Sequence, residues 1–495
     1  VAAVALPGCN PGDGEAVRLR YRSERWIHLA QLRTAENRVA AANATRDRQS
    51  AHDGWLHVVS LYDEALRGLD IARIERDVGN DMDRELVSLT LRAQLGVAAA
   101  LREAGETQAA FHAYRLLLAR ALPYEGTRAR AALGLAEVKD KAGAWDEALE
   151  HYRRWIAGVE RGEWPLHERG IDVPAYVSRR LGDRAQERAR RQWVDLASSA
   201  LDAAARRGEH ARDAHYARFL VLLDAEYWDA AYGALQETQA VYDPQGQSGG
   251  LTLAKANMLA NAFARPDQAL GLLIGLYSDE TKHDVEYRVA GLLLSGQIEL
   301  RQGRLDAATA HYERALATAR SSMGRAEATL GLARVHTARG ELDLARRRYT
   351  QLREAYASTP AGLLAPLEEY KLLRAHGVTL EAEGVLANAV HDYRRVITDF
   401  GTELPALRAA GYMSEVLGLS GSWEHGVAFL DSISNAFATD PRAGSLLVRA
   451  ARLSADRLAD PERARRLLAR VRERYPQSDL AVAVQVFEDS LSIGP

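Results

Sequence analysis

The sequence predicts an all-α solenoid of about ten or more helix-turn-helix units, and length, residue palette and an internal period carry that expectation. A chain of 495 residues exceeds what one compact core usually serves, so it must be either several domains or one elongated array. The palette favours the array. Apolar residues reach 47% while aromatics stay at 7% and Pro at 14, and Ala, Leu, Arg and Glu dominate, as packed helices require. Strands would call for more Val, Ile, Thr and aromatic residues.

The period is read from a small residue that recurs in the middle of each second helix. Ala110, Ala148, Ala231, Ala269, Ala308, Ala345, Ala389, Gly426 and Ala464 are spaced by 38, 83, 38, 39, 37, 44, 37 and 38 residues, the 83 being two periods around one irregular unit. Four residues on stands a large side chain: Tyr114, Tyr152, Leu235, Leu273, Tyr312, Tyr349, Tyr393, Leu430 and Leu468. It shares the helix face of the small residue and is expected to fill the groove towards the next unit. Five residues before the small residue the turn is placed, with Gly at 105, 143, 303, 340, 384 and 421, because a helix-ending Gly tolerates the left-handed conformation. Small residues at Ala98, Ala136, Gly296 and Ala333 of the first helices allow close helix approach. Asp146-Glu147 and Asp460-Pro461-Glu462 open second helices, where acidic residues and Pro suit the first turn.

A Leu-Gly or Leu-Ala pair, a Gly turn, an aromatic two residues after it (Trp145, Trp228, Trp423) and a central Ala resemble the tetratricopeptide repeat family from about residue 90 onward. The resemblance implies a right-handed superhelix whose first helices line a concave, partner-binding surface. The period is about four residues longer than the family's figure of roughly 34, which longer helices or longer loops would explain. By register the residues pointing into that surface are Arg102, Glu103, Glu137, Lys141, Gln297, Arg301, Arg334 and Thr337. Members that clamp a C-terminal carboxylate use Lys and Asn one turn apart on the first helix. The matching pairs Leu95/Ala99, Leu133/Glu137, Leu293/Gln297 and Leu330/Arg334 lack them.

Taken from the N-terminus, residues 1–9 read as the end of a signal peptide. Cys9 is the one cysteine in the sequence, and it follows a short apolar stretch ending Leu6-Pro7-Gly8. This resembles a bacterial lipobox, with Pro7 in place of the usual small residue, and implies lipidation at Cys9. No charged n-region precedes it, so the sequence is read as starting within the signal. Asn10 after the cysteine fits sorting to the outer membrane. Residues 10–48 read as a tether (10–14) and a charged N-terminal helix around Tyr21, Trp26, Ile27 and Leu32, with a further helix after Asp53-Gly54. Residues 49–245 form an irregular array, broken between Arg161 and Arg190 by Gly162, Pro165, Gly170, Pro174 and Gly182. A soft boundary falls in Asp243–Gly250, and residues 250–495 form the more regular array. The linker Tyr475-Pro-Gln-Ser-Asp-Leu-Ala481 resembles those of periplasmic repeat proteins.

Catalytic constellations are not found. Gly246-Gln-Ser-Gly-Gly250 matches a nucleophile elbow in letters, but a helix rather than a strand precedes it. The pairs His52/His57 and His210/His215 are spaced by five and miss the face a helical zinc site uses. Asp81-Met-Asp83-Arg-Glu85 lacks the Gly and distant Glu of a calcium loop and reads as a helix cap. With five Lys, none in a phosphate loop, nucleotide hydrolysis has no support. A net charge of −3 with both signs interleaved disfavours nucleic-acid binding. The expectation is therefore a non-catalytic scaffold without metal or cofactor, anchored by lipid to the periplasmic face of the outer membrane. It would bind protein partners in envelope assembly, division or secretion, exopolysaccharide or pilus export included. The alternatives are a soluble cytoplasmic adaptor and, third, an accessory helical module of a peptidoglycan-active enzyme.

Overall fold

A computed structural model of the chain describes residues 11–44, 48–67, 81–119, 125–184, 186–245, 247–278, 281–438, 440–475, 484 and 487, with the side chains of 11–25, 44, 48, 49, 81–86 and 441 outside that set. Cys9, Asn10, Gly246 and the stretch 476–481 of the expected linker lie outside the described residues, as do the side chains of Tyr21, Asp81, Asp83 and Glu85. The described regular elements are helical. They pack as two compact units, Val1–Arg179 with Glu187–Ala225, and Arg180–Gln186 with Glu226–Pro495.

The first unit holds α1 (Pro11–Ala44), α2 (Arg48–Leu66), α3 (Asp81–Ala104), α4 (Thr107–Ala119), α5 (Glu125–Lys141), α6 (Trp145–Glu160), α8 (Glu187–Arg206) and α9 (Ala211–Asp224), while α7 (Val173–Asp183) runs across the unit boundary. Each of α1 to α5 packs on the next, and the first helices α3 and α5 also touch. The second unit holds α10 (Trp228–Tyr242), α11 (Gly249–Asn261), α12 (Pro266–Tyr277), α13 (Val285–Arg301), α14 (Leu305–Thr318), α15 (Ser322–Arg339), α16 (Leu342–Ala355), α17 (Pro360–Ala375), α18 (Thr379–Phe400), α19 (Leu404–Leu419), α20 (Trp423–Ala436), α21 (Gly444–Leu458) and α22 (Pro461–Arg474). Successive helices pack as antiparallel hairpins, and the first helices α11, α13, α15, α17, α19 and α21 touch one another in turn. From α13 to α20 the connections are only two to four residues, so the extra length of the period lies in the helices.

The small-then-large rule holds in three dimensions. All nine small residues from Ala110 to Ala464 are buried, and so are the nine large residues that follow them. The large residue is a wedge. Tyr312 of α14 inserts between α13 and α15 at two glycines: a Cβ at Gly296 would lie 2.8 Å from its ring, and one at Gly331 would fall inside the ring's van der Waals shell. Tyr62 against Gly96 and Tyr114 against Gly134 repeat the device in the first unit. A glycine on the next first helix thus admits an aromatic ring that no other residue would accommodate in place.

The turns share one backbone solution. Gly340 closes α15 at φ 76° with its N–H on the Thr337 carbonyl (3.0 Å), and Glu341 N–H reaches the His336 carbonyl (2.9 Å), which is a Schellman motif. The same pair of bonds recurs at Gly105, Gly143, Gly303 and Gly421. Gly384 does not belong to the set. It lies exposed inside α18, and the turn glycine is Gly377 at φ 73°. The spacing of 44 arises because α18 has 22 residues against 14 in α14 and α16, and it buries both Ala382 and Ala389. Three turns without glycine adopt the left-handed region regardless: Glu226 (φ 63°), Ala264 (φ 51°) and Ala459 (φ 50°), each five residues before a buried Ala.

The N-terminal reading also shifts. Residues 11–14, expected as tether, are the first turn of α1, where Pro11 at the N-terminus of the helix costs no hydrogen bond. Among the described side chains of α1, Leu32, Ala35 and Ala42 are buried, whereas Trp26 and Ile27 are exposed. No helix begins after Asp53-Gly54. α2 runs through that pair, and Gly54 lies in the helix interior beside Ala42 of α1, where a Cβ would make an ordinary contact at 3.8 Å.

Candidate partner-binding grooves

The first helices of each unit form one face, and each face carries a groove. In the first unit a cavity of about 320 Å³ opens between α1, α3 and α5, walled by Glu36, Arg92, Arg102, Arg130, Glu137 and Arg169 over Leu95, Leu133 and the Tyr62 and Tyr114 rings. Three of the expected contact residues line it: Arg102, Glu103 and Glu137. They are not free charges. Arg102 is buried and ion-pairs with Glu137 across the α3–α5 contact and with Glu103 at 2.9 Å, while Lys141 Nζ reaches Glu103 at 2.7 Å and donates to the Glu103 carbonyl at 3.2 Å. The four residues read as contact points are therefore a clip joining two first helices. Burial alone would raise the Glu103 carboxyl, but the Lys141 hydrogen bond and the Arg102 and Lys141 charges together hold it below the ordinary range.

Uncommitted charge lies two turns nearer the helix N-termini. Arg92 is held by Glu36 at 2.5 Å, but among the described residues Arg130 Nε donates only to the Gly126 carbonyl of its own helix at 3.3 Å. Burial, then the Arg92 and Arg169 charges, push the Arg130 guanidinium down. Burial and the same Arg130 charge, with those of His210 and Arg169, depress His167.

In the second unit Gln297, Arg301 and Arg334 are exposed on α13 and α15, as the register requires. Arg301 donates to Asn261 Oδ1 of α11 at 2.6 Å, and Arg334 stands 3.7 Å from Glu368 of α17. Thr337 is half-buried. Its hydroxyl donates to the Ala333 carbonyl at 2.9 Å and lies 3.4 Å from the Tyr349 hydroxyl, so it supports the helix pair. Burial raises the Glu327 carboxyl nearby, against the Arg334 charge. The larger groove lies further along, between α19 and α21. It encloses about 1180 Å³ and its walls carry Arg408, Glu415, Arg442, Arg449, Arg452 and Arg457 beside Leu404, Leu407, Tyr412, Trp423 and Leu453.

Register reasoning missed Arg92, Arg130 and Arg408, although one rule finds all three: Arg130 and Arg408 stand seven residues before Glu137 and Glu415, and Arg92 seven before Ala99, on the same helix face. The letters that mimicked chemistry have structural duties. Ser248 of the Gly-Gln-Ser-Gly-Gly stretch caps α11, accepting from Leu251 N–H at 3.4 Å, and Asp243 gathers the Gln247 and Ser248 amides at 2.6 and 2.8 Å. His52 Nδ1 donates to the Ala104 carbonyl at the end of α3. Among the described residues no group of three or more His, Cys, Asp or Glu could hold a metal, and no helix is long and apolar enough to cross a membrane.

Solved structures similar to this chain include yeast Tom70, at 11% identity over 95% of this chain and 96% of that one with a TM-score of 0.37. The Cut9 and Hcn1 tetramer of the APC/C gives 12% identity, 90% and 97% coverage and a TM-score of 0.27. The Naa15/Naa10 complex bound to HypK-THB gives 12% identity over 91% of this chain and a TM-score of 0.33, with 64% of that chain spanned. No curated protein matches the sequence. Tetratricopeptide repeat models match residues 299–365, which hold the Tyr312 wedge and the Gly340 turn, and residues 446–478, which hold α22. With the repeated small residue, wedge and left-handed turn, these matches make the chain a tetratricopeptide repeat protein, an all-α interaction scaffold.

Proposed function

We propose that this protein is a non-catalytic scaffold that holds extended segments of partner proteins along its first-helix faces. We further propose that it acts while lipid-anchored at Cys9 on the periplasmic face of the outer membrane, in envelope assembly, division or secretion. One observation carries the first part. Each unit leaves a groove on the face built by consecutive first helices, walled by arginines that the packing does not fully consume. A protein segment laid along that face meets charged donors of fixed geometry, which position a chain by its side chains. The second part rests on the sequence: a chain with a single cysteine places it after Leu6-Pro7-Gly8, and Tyr475–Ala481 resembles periplasmic linkers.

Affinity purification of the tagged chain in mild detergent tests the first part. Wild type should retain defined protein partners that Arg130→Glu or Arg408→Glu releases. An identical set from both variants and wild type, or none at all, contradicts the scaffold reading. Growth with a clickable fatty acid tests the second: label on wild type and none on Cys9→Ser is expected. Unlabelled wild type would return the chain to the cytoplasmic-adaptor reading, and turnover of peptidoglycan by the pure protein would defeat the non-catalytic one.

A further inference from the structure

We infer that the groove between α19 and α21 takes an acidic peptide segment bearing aliphatic side chains, a reading that rests on the scaffold function and names its partner chemistry. The whole chain carries a net charge of −3, yet the groove is lined by five arginines (Arg408, Arg442, Arg449, Arg452 and Arg457) and two carboxylates, Glu415 and Asp456, an excess of three positive charges. The local sign is thus the reverse of the global one. Such a concentration raises the local population of anionic groups and speeds their encounter.

Little of that charge is spent internally. Arg442 is tied to Asp440 at 2.6 Å, and Arg449 to Glu415 at 3.1 Å. Gly411 leaves room for the latter, since a Cβ there would sit 3.1 Å from the Arg449 guanidinium. Arg457 rests over the Trp423 ring at 5.0 Å, and Arg452 over Phe487 at 5.7 Å. Neither contact neutralises the cation. Arg408 is exposed, and neither it nor Arg452 has a carboxylate within ion-pair distance among the described residues. Their planar forks are free to take carboxylates in two parallel hydrogen bonds.

Size and lining favour a peptide over other anions. About 1180 Å³ exceeds the roughly 300–1,000 Å³ usual for small-molecule sites, so a single metabolite would be loosely held. Between the arginines the floor is mostly aliphatic: Leu404, half-exposed at 48%, with Leu407, Val448 and Leu453. The two aromatic rings of the lining each already carry a partner, Trp423 the Arg457 guanidinium and Tyr412 the Tyr393 ring at 6.3 Å and 24°. A chain alternating carboxylates with Leu- or Val-sized side chains satisfies both surfaces, and a nucleic acid satisfies only the charge.

The test uses the full chain and a phage-displayed library of random peptides, selected on wild type and counted against Arg408→Glu/Arg452→Glu. Both side chains are exposed, and circular dichroism confirms that the variant is folded. The inference predicts enrichment of Asp and Glu interleaved with Leu, Ile or Val. It also predicts that the best synthetic peptide binds the double variant at least tenfold more weakly and binds wild type more weakly as salt rises. Replacing the peptide's Asp and Glu by Asn and Gln should lose a similar factor. No enrichment, enrichment of basic peptides, equal affinity of the neutral peptide, or tighter binding of a thymidine oligonucleotide than of the peptide each overturns it. If purified partners are lost from Arg130→Glu but not from Arg408→Glu/Arg452→Glu, the scaffold reading stands and this inference fails.

Discussion

If the Tyr312 ring truly occupies the space of a missing side chain on α15, Gly331→Ala must be harmful with the ring in place and helpful without it. The added Cβ would land within the ring, which is itself 5% exposed and confined on its other side by Gly296. Overpacking of this kind costs about 1–3 kcal/mol. An alanine in a helix interior gains about 1 kcal/mol over glycine, so the net loss in wild type is about 1 kcal/mol. Tyr312→Ala alone removes a buried aromatic and costs about 3–5 kcal/mol. In that background the clash is gone, and Gly331→Ala should stabilise by about 1 kcal/mol, a coupling of about 2 kcal/mol, within the range seen for touching residues. Urea titration followed by circular dichroism supplies the four stabilities, and amide exchange in α14 and α15 checks that the change is local, as a nearest-neighbour array requires. Additive effects, or a Gly331→Ala variant more stable than wild type, would refute the wedge.

The glycine positions and two carboxylates, Glu103 of the clip and Glu327 of α15, give the remaining predictions. Ala264→Gly and Ala459→Gly should each stabilise by up to about 1 kcal/mol, since both alanines sit in the left-handed region, whereas Gly340→Ala should destabilise by about 1 kcal/mol. Gly384→Ala, in an exposed helix interior, should stabilise by about 0.5–1 kcal/mol, and a loss there would restore it to a turn. Glu103→Gln should cost about 1–2 kcal/mol at neutral pH by weakening charged hydrogen bonds in a part-exposed clip. Because the folded Glu103 carboxyl lies below its ordinary value, that contribution is present above the unfolded pKa and is lost as pH falls through the folded one. The Glu327 carboxyl is raised by burial, so its share of stability is present below the unfolded pKa and is lost as pH rises through the folded one. Glu327→Gln should therefore raise the melting temperature at neutral pH and leave it unchanged in acid. A thermal-melt series across pH on the two variants checks both signs.

What was legible in the sequence was whatever depends on local chemistry repeated at fixed register. The buried alanines, the wedge four residues on and the glycine turns are one-dimensional facts, because each is forced by the helix period or by a single backbone angle. Three turns escaped because packing imposes the left-handed region on Glu226, Ala264 and Ala459 against their preference. Gly384 misled because the longer α18 buries a second alanine, Ala389, seven residues after Ala382, the one that follows the Gly377 turn. The groove was legible as a face, and the pairing of the charges on it was not. Whether Arg102 is free or clipped depends on Glu137, 35 residues away on another helix, and sequence spacing does not carry such pairing. The open arginines followed the same register seven residues earlier, a search along the helix that would have found Arg130 and Arg408. Arg449 had no such signal, since its counterparts Leu133 and Leu330 are apolar.

The central claim is that the first-helix faces, and not the outer second helices, hold partner proteins. Site-specific photo-crosslinking in intact cells measures this directly, with a benzophenone side chain at Arg130, Gln297 or Arg408 on first helices and at Leu380, which is 83% exposed on the second helix α18. The account predicts protein adducts from the first three positions and none from Leu380. Adducts confined to Leu380 would contradict it.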